Sequence, residues 1–292
     1  MIWLTGGKGM LGREIAEKLS AAGMSYISTD TELDLTDSVA VELFFKKNRF
    51  RWVINCAAYT AVDSAEEDEL NAFAVNSEGV KNIAVAVEGA GVKVIHFSTD
   101  YVYPGDSTGG YIESDSTVPS SVYGRSKLSG ENELVALHPE YFIFRISWLY
   151  GPHGKNFVNT MLNLFNEKSE LNVVNDQSGS PTYTGELADF IAGLVKSDSD
   201  KFGIYNFSGE GMADWHEFAS EIYRLAVKYR LTERNVKINP VDSSKYPQKA
   251  KRPACSYMLK DKLVKTFGYR PRHWRETLEE YIKKFTKTIK HR

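Results

Sequence analysis

The chain predicts an α/β fold wound around a parallel sheet, and three observations carry that expectation. Short apolar runs alternate with amphipathic helical stretches through the first half. A glycine-rich turn, Thr5-Gly-Gly-Lys-Gly-Met-Leu-Gly12, joins the first run to the first helix. Beyond about Trp148 the alternation loosens, and Pro240, Pro247, Pro253 and Pro271 cut the C-terminal region into short pieces. Alternation of this kind implies crossover connections and a parallel sheet covered on both faces.

The elements follow in order. Met1-Ile-Trp-Leu4 reads as a buried strand and residues 13–22 as an amphipathic helix. Residues 25–28 suggest a second strand ending at Asp30, then come a helix over 38–48 and a strand over Trp52-Val-Ile-Asn55. Residues 66–88 hold one long or two short helices before a strand at 92–97. Leu128, Leu134, Val135 and Leu137 give 121–137 a helical spacing, although Gly124 and Gly130 weaken it. Tyr141-Phe-Ile-Phe-Arg-Ile146 supplies another short buried strand. Later helices are expected at 156–167, 184–196, 215–229 and 275–287, with strands at 171–174 and 204–207. The expectation is a Rossmann-like doubly wound sheet over residues 1–147, to which segments around 184–207 return. Residues 148–292 then form mainly a smaller, interleaved lobe that holds the substrate.

Length and composition bound the function. At 292 residues the chain can bury one large core or two intimate ones, and 42% apolar residues is ordinary for a globular protein. A net charge of −2 gives no support for general nucleic-acid or membrane-surface binding. The basic end, residues 283–292, reads as a solvated tail. Cys56 and Cys255 cannot build a disulfide framework and are expected as free thiols in a reducing compartment. With no run of the ~20 apolar residues that a membrane span needs, and a start too short for a signal peptide, the expectation is cytoplasmic. The histidines at 96, 138, 153, 216, 273 and 291 are scattered and predict no metal site, and His96, alternating with apolar neighbours, reads as structural.

Three blocks carry chemistry. Gly6, Gly9 and Gly12 sit between a strand and a helix, where glycines permit a sharp turn and close backbone approach to a pyrophosphate. The helix N-terminus adds unpaired N–H groups for the anion. Ser98-Thr-Asp100 ends a strand in hydroxyls, where an open parallel sheet binds its ligands; a helix cap is the plainer alternative. Tyr123 and Lys127 are four apart and so share a helix face. An ammonium beside the phenol would lower its pKa from ~10 and make it a proton donor near neutral pH. Alone, the pair is better read as a surface tyrosine beside a solvated lysine; the order of all three blocks favours a nicotinamide-dependent oxidoreductase. Asp63 and Glu66 are explained by a helix start.

These blocks, with Cys56-Ala-Ala-Tyr-Thr-Ala-Val-Asp-Ser-Ala-Glu66, Ala74-Val-Asn-Ser-Glu-Gly-Val-Lys-Asn82, Ser98-Thr-Asp-Tyr-Val-Tyr103 and Val122-Tyr-Gly-Arg-Ser-Lys-Leu-Ser-Gly-Glu131, resemble the extended short-chain dehydrogenase/reductases. Phe144-Arg-Ile-Ser-Trp-Leu-Tyr150, Asn156-Phe157, Asn175-Asp-Gln-Ser-Gly-Ser-Pro-Thr182 and Lys251-Arg-Pro253 extend the likeness, which within that superfamily is to the dTDP-4-dehydrorhamnose reductase family. The resemblance implies that Gly9, Met10 and Leu11 hold the cofactor pyrophosphate. It places Asp30 at the adenosine ribose, Asp34 and Leu35 beside adenine, and Ala57, Ala58 and Tyr59 along the cofactor. Thr99, Tyr123 and Lys127 would be catalytic, Lys127 also binding the nicotinamide ribose. Asp100, Tyr101, Trp148, Asn156 and Arg252 would meet the dTDP-sugar. The implied reaction is reduction of the C4 ketone of dTDP-4-dehydro-L-rhamnose, and the implied assembly a homodimer.

Cofactor choice is open in the sequence. Asp30 would accept ribose hydroxyls and favour NADH, whereas Arg13 could attract the 2′-phosphate of NADPH, so dual use of NADH and NADPH is expected. Cys255 stands where the family usually has Asn, and Arg252 could equally be a solvated arginine among Lys245, Lys249 and Lys251. Two rival readings remain. A 4,6-dehydratase or epimerase shares the fold, but Tyr101 occupies the place of the dehydratase's glutamate base. A non-catalytic subunit can also keep this fold, as the β subunit of methionine adenosyltransferase does.

Overall fold

The computed structural model describes residues 1–290, with side chains through residue 286. His291 and the end of the basic tail lie outside the described residues. The first half runs β1 (Ile2–Thr5), α1 (Met10–Ala21), β2 (Tyr26–Ser28), α2 (Ser38–Lys46), β3 (Trp52–Asn55), α3 (Val62–Ala65), α4 (Glu69–Phe73), α5 (Gly79–Ala86), β4 (Lys93–Thr99), α6 (Val122–Leu137) and β5 (Tyr141–Ile146). The second half runs β6 (Leu149–Tyr150), α7 (Phe157–Glu167), β7 (Glu170–Val174), β8 (Ser178–Gly179), β9 (Thr182–Tyr183), α8 (Thr184–Lys196), β10 (Gly203–Phe207), β11 (Ala213–Asp214), α9 (Trp215–Lys228), β12 (Lys237–Val241), α10 (Asp261–Phe267) and α11 (Trp274–Lys290).

Six strands form one parallel sheet in the order β10-β5-β4-β3-β1-β2. Because successive side chains point to opposite faces, Ile2, Leu4, Trp52, Ile54, Ile95 and Phe97 meet the Leu11–Leu19 stripe of α1 and the apolar face of α8. Trp3, Val53, Val94 and Ile143 face the other way, toward Val41 of α2, Ile83 of α5 and Leu134 of α6. A separate core, centred on Phe165, Phe218, Trp274 and Tyr281, joins α7, α9 and α11. Among the described residues no helix is long and apolar enough to cross a membrane.

The differences from expectation have local causes. The first helix starts at Met10, not 13, because Gly9 takes an extended cap conformation and the helix begins inside the glycine turn. The 66–88 stretch divides into α4, a π-helical turn at Ala74–Glu78, and α5. Strand β12 contains Pro240, which the sequence offers as a breaker; it pairs only with β7, in a two-stranded sheet whose outer edge tolerates a residue without an N–H. The two glycines that weaken the 121–137 helix are close approaches. A Cβ at Gly124 would meet the Tyr101 carbonyl oxygen at 2.4 Å, and one at Gly130 the Asn76 carbonyl oxygen at 2.0 Å. α6 can therefore lie against the loop after β4 and against the π turn.

Candidate active site

All functional candidates that share a cavity do so at the C-terminal edge of the sheet. The glycine turn forms its floor. Gly6 has φ +62°, and a Cβ there would stand 2.5 Å from the Ala57 nitrogen; one at Gly12 would stand 2.2 Å from the Gly6 carbonyl oxygen. Both contacts are with backbone, so only glycine fits, and the first turn of α1 is left bare for an anion. A cleft of about 680 Å³ extends from this turn past Asp30, Asp34 and Leu35 to Ala57, Ala58 and Tyr59. Its size and glycine cradle fit the adenosine and pyrophosphate of a dinucleotide.

The acidic groups there are already oriented. Asp30 accepts from the N–H of Lys8 (2.8 Å) and of Thr31 (3.0 Å). Asp34 accepts from the Thr36 N–H and hydroxyl, which hold its carboxyl below the usual range. Arg13, expected to compete for a 2′-phosphate, instead folds back onto the Lys8 carbonyl at 2.9 Å. Lys8 lines this cleft, paired with Glu32 at 2.9 Å. Sequence reasoning missed Lys8, whose place inside the glycine turn was the available signal.

A second cavity of about 440 Å³ opens from the same turn. Gly9, Met10, Leu11, Gly12, Ala58, Thr99, Asp100, Tyr101, Tyr123, Lys127 and Trp148 all line it. Thr99 ends β4, accepts the Tyr101 N–H, and donates to Asp100 Oδ1 at 3.1 Å. Asp100 is 2% exposed and its Oδ2 has no partner, so burial pushes its carboxyl up to about 6 despite the Ser256 and Thr99 hydroxyls nearby. Ser121 caps α6 by accepting the Gly124 N–H, which fixes the start of the helix that carries Tyr123 and Lys127.

One expectation is reversed. The Tyr123 phenol is pushed up, not down; burial is the main cause, and Asp100 and Tyr101 add to it against the Thr99 hydroxyl. Lys127 shares its helix face, but its Nζ is drawn to β4, donating to the Phe97 carbonyl at 2.6 Å. The ammonium therefore does not depress the phenol in this arrangement.

Asn76, to which no role was attached, holds this side together. From the π turn it accepts the Tyr59 N–H (2.9 Å) and donates to the Tyr59 carbonyl (3.0 Å) and to Ser126 of α6 (2.9 Å). π turns recur at functional sites because they re-aim one side chain out of helical register. The motif 74–82 contained the residue; nothing in its spacing announced the irregular turn.

Toward α7 and α9, a third cavity of about 730 Å³ is lined by Tyr101, Trp148, Phe157, Met161, Trp215, Tyr246 and Arg252 among others. Trp148 lies between this and the catalytic cavity. Its φ is +45°, rare for a bulky residue, and its ring stacks on Trp215 at 3.6 Å. Arg252 donates to the Tyr101 hydroxyl (2.8 Å) and to Asp63 (2.7 Å), while Asp63 also accepts the Ala250 N–H. Asp63 is thus a clamp between distant segments as well as an acid at a helix start. Asn156 lines none of these cavities: it caps α7, accepting from Asn159 and donating to the Gly151 carbonyl. Away from the cleft, Glu14, Glu17 and His153 bring their ligand atoms within 4.8 Å of one another, a grouping their sequence positions hide.

The sheet order and its C-terminal cleft define a Rossmann-type short-chain dehydrogenase/reductase. The family described as RmlD substrate binding domain matches residues 1–287, and the chain belongs to it. Over 282 residues it is 38% identical to a dTDP-4-dehydrorhamnose reductase of Aggregatibacter actinomycetemcomitans, covering 94% of this chain and 96% of that one. A dTDP-4-dehydrorhamnose reductase structure from Clostridium acetobutylicum matches with a TM-score of 0.92 at 40% identity, covering 97% and 99% of the two chains. Another, from Bacillus anthracis in complex with NADP, matches at 0.91 and 36%, covering 97% and 98%.

Proposed function

We propose that the protein reduces the C4 ketone of dTDP-4-dehydro-L-rhamnose to dTDP-L-rhamnose with NADPH or NADH. The observation that carries this reading is that Thr99, Tyr123 and Lys127 open into one cavity with the glycine turn at its floor. A bound reduced nicotinamide supplies the hydride. The protein's own residues do the rest. The backbone N–H groups at the start of α1 hold the pyrophosphate. The Thr99 hydroxyl turns from Asp100 to donate to the ketone oxygen, and Tyr123 gives its proton to that oxygen as negative charge develops there. A raised phenol pKa suits this direction of transfer, because the group is fully protonated before the reaction. Trp148 walls the sugar off from the outer cavity, and Arg252 with Tyr101 faces the diphosphate, for which a guanidinium is suited.

The test follows the absorbance of NADPH and of NADH with enzymatically generated dTDP-4-dehydro-L-rhamnose, beside a Tyr123→Phe control. Sugar-dependent oxidation that falls by roughly 10²–10⁴ in the control is expected, the usual worth of a positioned proton donor. Silence with both cofactors, from folded protein that binds them, overturns the reading and favours a non-catalytic role.

A further inference from the structure

Across three neighbouring strands the sheet carries a polar row where its apolar pattern would otherwise continue. Thr5 of β1 is in register with Asn55 of β3, and Asn55 with His96 of β4. All three point to the face that Trp3, Val53 and Val94 share with α6, and all are at most 2% exposed. Burying three polar side chains in a core layer is unfavourable unless each is hydrogen-bonded. They are, and the chain of bonds ends on Lys127, itself 1% exposed.

The direction of each bond can be assigned from one fixed donor. The Ala57 backbone N–H lies 3.2 Å from Asn55 Oδ1, and a backbone N–H can only donate. This fixes the Asn55 amide with Oδ1 toward Ala57 and toward the Thr5 hydroxyl at 2.6 Å. The Asn55 NH₂ then points at His96 Nδ1, 3.1 Å away, which must accept. Burial first, then the Lys127 charge, holds His96 well below its ordinary pKa, so the ring is neutral and its single proton sits on Nε2. That Nε2–H faces Lys127 Nζ at 3.3 Å. An ammonium has only protons to offer and would meet the ring N–H proton to proton. A neutral amine accepts it and still donates to the Phe97 carbonyl.

We propose that His96 is a positioning residue for the active-site amine: Asn55 and the Ala57 N–H fix it with a proton toward Lys127, so Lys127 exchanges between amine and ammonium during turnover rather than standing as a permanent cation. This rests on the reading of Tyr123 and Lys127 as the reacting pair. After Tyr123 has given its proton to the ketone oxygen, the phenolate draws one proton from the Lys127 ammonium through water in the cavity that both residues line. Tyr123 is restored, and the amine is left with its lone pair on His96 Nε2–H; solvent water returns the proton.

The groups facing Lys127 agree with such a role. On its own helix Glu131 lies one turn on, but its charge is held by Arg145 of β5 at 2.7 Å; Tyr123 lies one turn back, with Asp100 beside it. From the end of β3, Cys56 faces it with a thiol that burial keeps protonated, and His96 faces it from β4. Burial outweighs Glu131 and Cys56 and brings the Lys127 amine down to about 8. His96, expected as a structural histidine, is fully bonded, but one of its two bonds is to Lys127.

The experiment reads the tautomer directly, without turnover. In ¹⁵N-histidine-labelled protein at pH 7 the His96 signals, identified by their loss in His96→Gln, are expected to show a protonated Nε2 and a bare Nδ1. Asn55→Asp keeps both acceptor bonds of Oδ1 but removes the amide donor, so the ring is expected to turn over to Nδ1–H. Titration of the Lys127 ε-carbon is then expected to move up by at least about one pH unit, a tenfold change in proton affinity. Adding His96→Gln to Asn55→Asp separates the ring's effect from the new charge, and most of the upward shift is expected to vanish. An Nδ1–H tautomer in the unmodified protein overturns the proposal. So does a Lys127 titration that follows the charge at position 55 whether or not the ring is present. If the Asp variant does not fold, the tautomer in the unmodified protein decides alone. Absence of sugar-dependent turnover would sink the proposed reaction but leave both spectroscopic readings intact.

Discussion

The two sides of the cleft are built on different principles. On the cofactor side, the cradle is backbone against backbone, Gly6 on Ala57 and Gly12 on Gly6, with Asp34 bonded to Thr36 and Asp30 to the Lys8 N–H. On the substrate side, the contacts join positions far apart in the chain. Arg252 reaches Tyr101 across 151 positions and Asp63 across 189, and Lys249 meets Glu67 across 182. The first is preorganised by the first three strands and the turns that follow them. The second exists only when the segment around Lys249 and Arg252 lies against Asp63, Glu67 and Tyr101, and its exposed charges are partly screened by solvent. A backbone cradle and a side-chain tether should fail differently.

The largest effect is expected at the rigid side. Gly12→Ala places a methyl 2.2 Å from the Gly6 carbonyl oxygen and 2.9 Å from the Gly7 Cα, and neither atom belongs to a side chain that can move aside. Cofactor affinity, measured by calorimetry, should fall by roughly 100-fold or more, about 2.7 kcal/mol. A loss of only two- or threefold would mean that the turn adapts, and the contrast between the two sides would not hold.

An intermediate effect is expected across the tether. Arg252→Ala removes the partner of Asp63 and Tyr101, and with it a charged donor facing the outer cavity. The KM for the sugar nucleotide should rise by roughly 10-fold or more, since a hydrogen bond to a charged group is worth about 1.5–3 kcal/mol. Cofactor affinity should stay within twofold. If both affinities drop together, the two sides are one cooperative unit.

The same contrast explains what could be read from the sequence. The glycine turn, the strand ends at Asp30 and Thr99, and the Tyr123–Lys127 spacing are local, and local patterns are visible along a chain. The fold was legible for that reason: strand–helix alternation needs only neighbouring residues. Asn76 was not, because its use depends on a π turn that no periodicity marks. Strand β12 was hidden by Pro240, which forbids a central strand but not an edge. The double duty of Asp63 and the cap role of Asn156 were equally out of reach, since each is decided by where a distant segment or a helix start falls. The direction of the Tyr123 shift was mistaken for a related reason. The fold buries the phenol, which raises it, and although helical spacing puts Lys127 on the right face, a stronger acceptor, the Phe97 carbonyl, draws it to a strand 30 positions away.

The smallest expected effect lies between the two sides, at Asp100, and it is a gain. Its carboxyl is raised from 3.8 to about 6, so the folded state binds that proton more tightly than the unfolded chain does. Between about pH 4 and pH 6 the native protein holds more protons, and stability from this group therefore falls as pH rises through the window. Above pH 6 the buried carboxylate is charged, with one oxygen unpartnered, and the full cost is present. Asp100→Asn removes that charge at nearly constant volume. It should stabilise the protein by about 1–2 kcal/mol at pH 8, within the roughly 3 kcal/mol that two pKa units represent. At pH 4.5 the gain should shrink toward zero, because Asp100 is then already neutral. Thermal melts of both proteins at the two pH values test the sign directly. Turnover should fall in the same variant, since an amide NH₂ beside the Thr99 and Tyr123 hydroxyls offers a competing donor where the carboxylate only accepts. A variant that is more stable at high pH and less active would mark Asp100 as a group kept for function against stability. Equal stabilisation at both pH values would instead show that the carboxyl is not protonated in the folded state near pH 5.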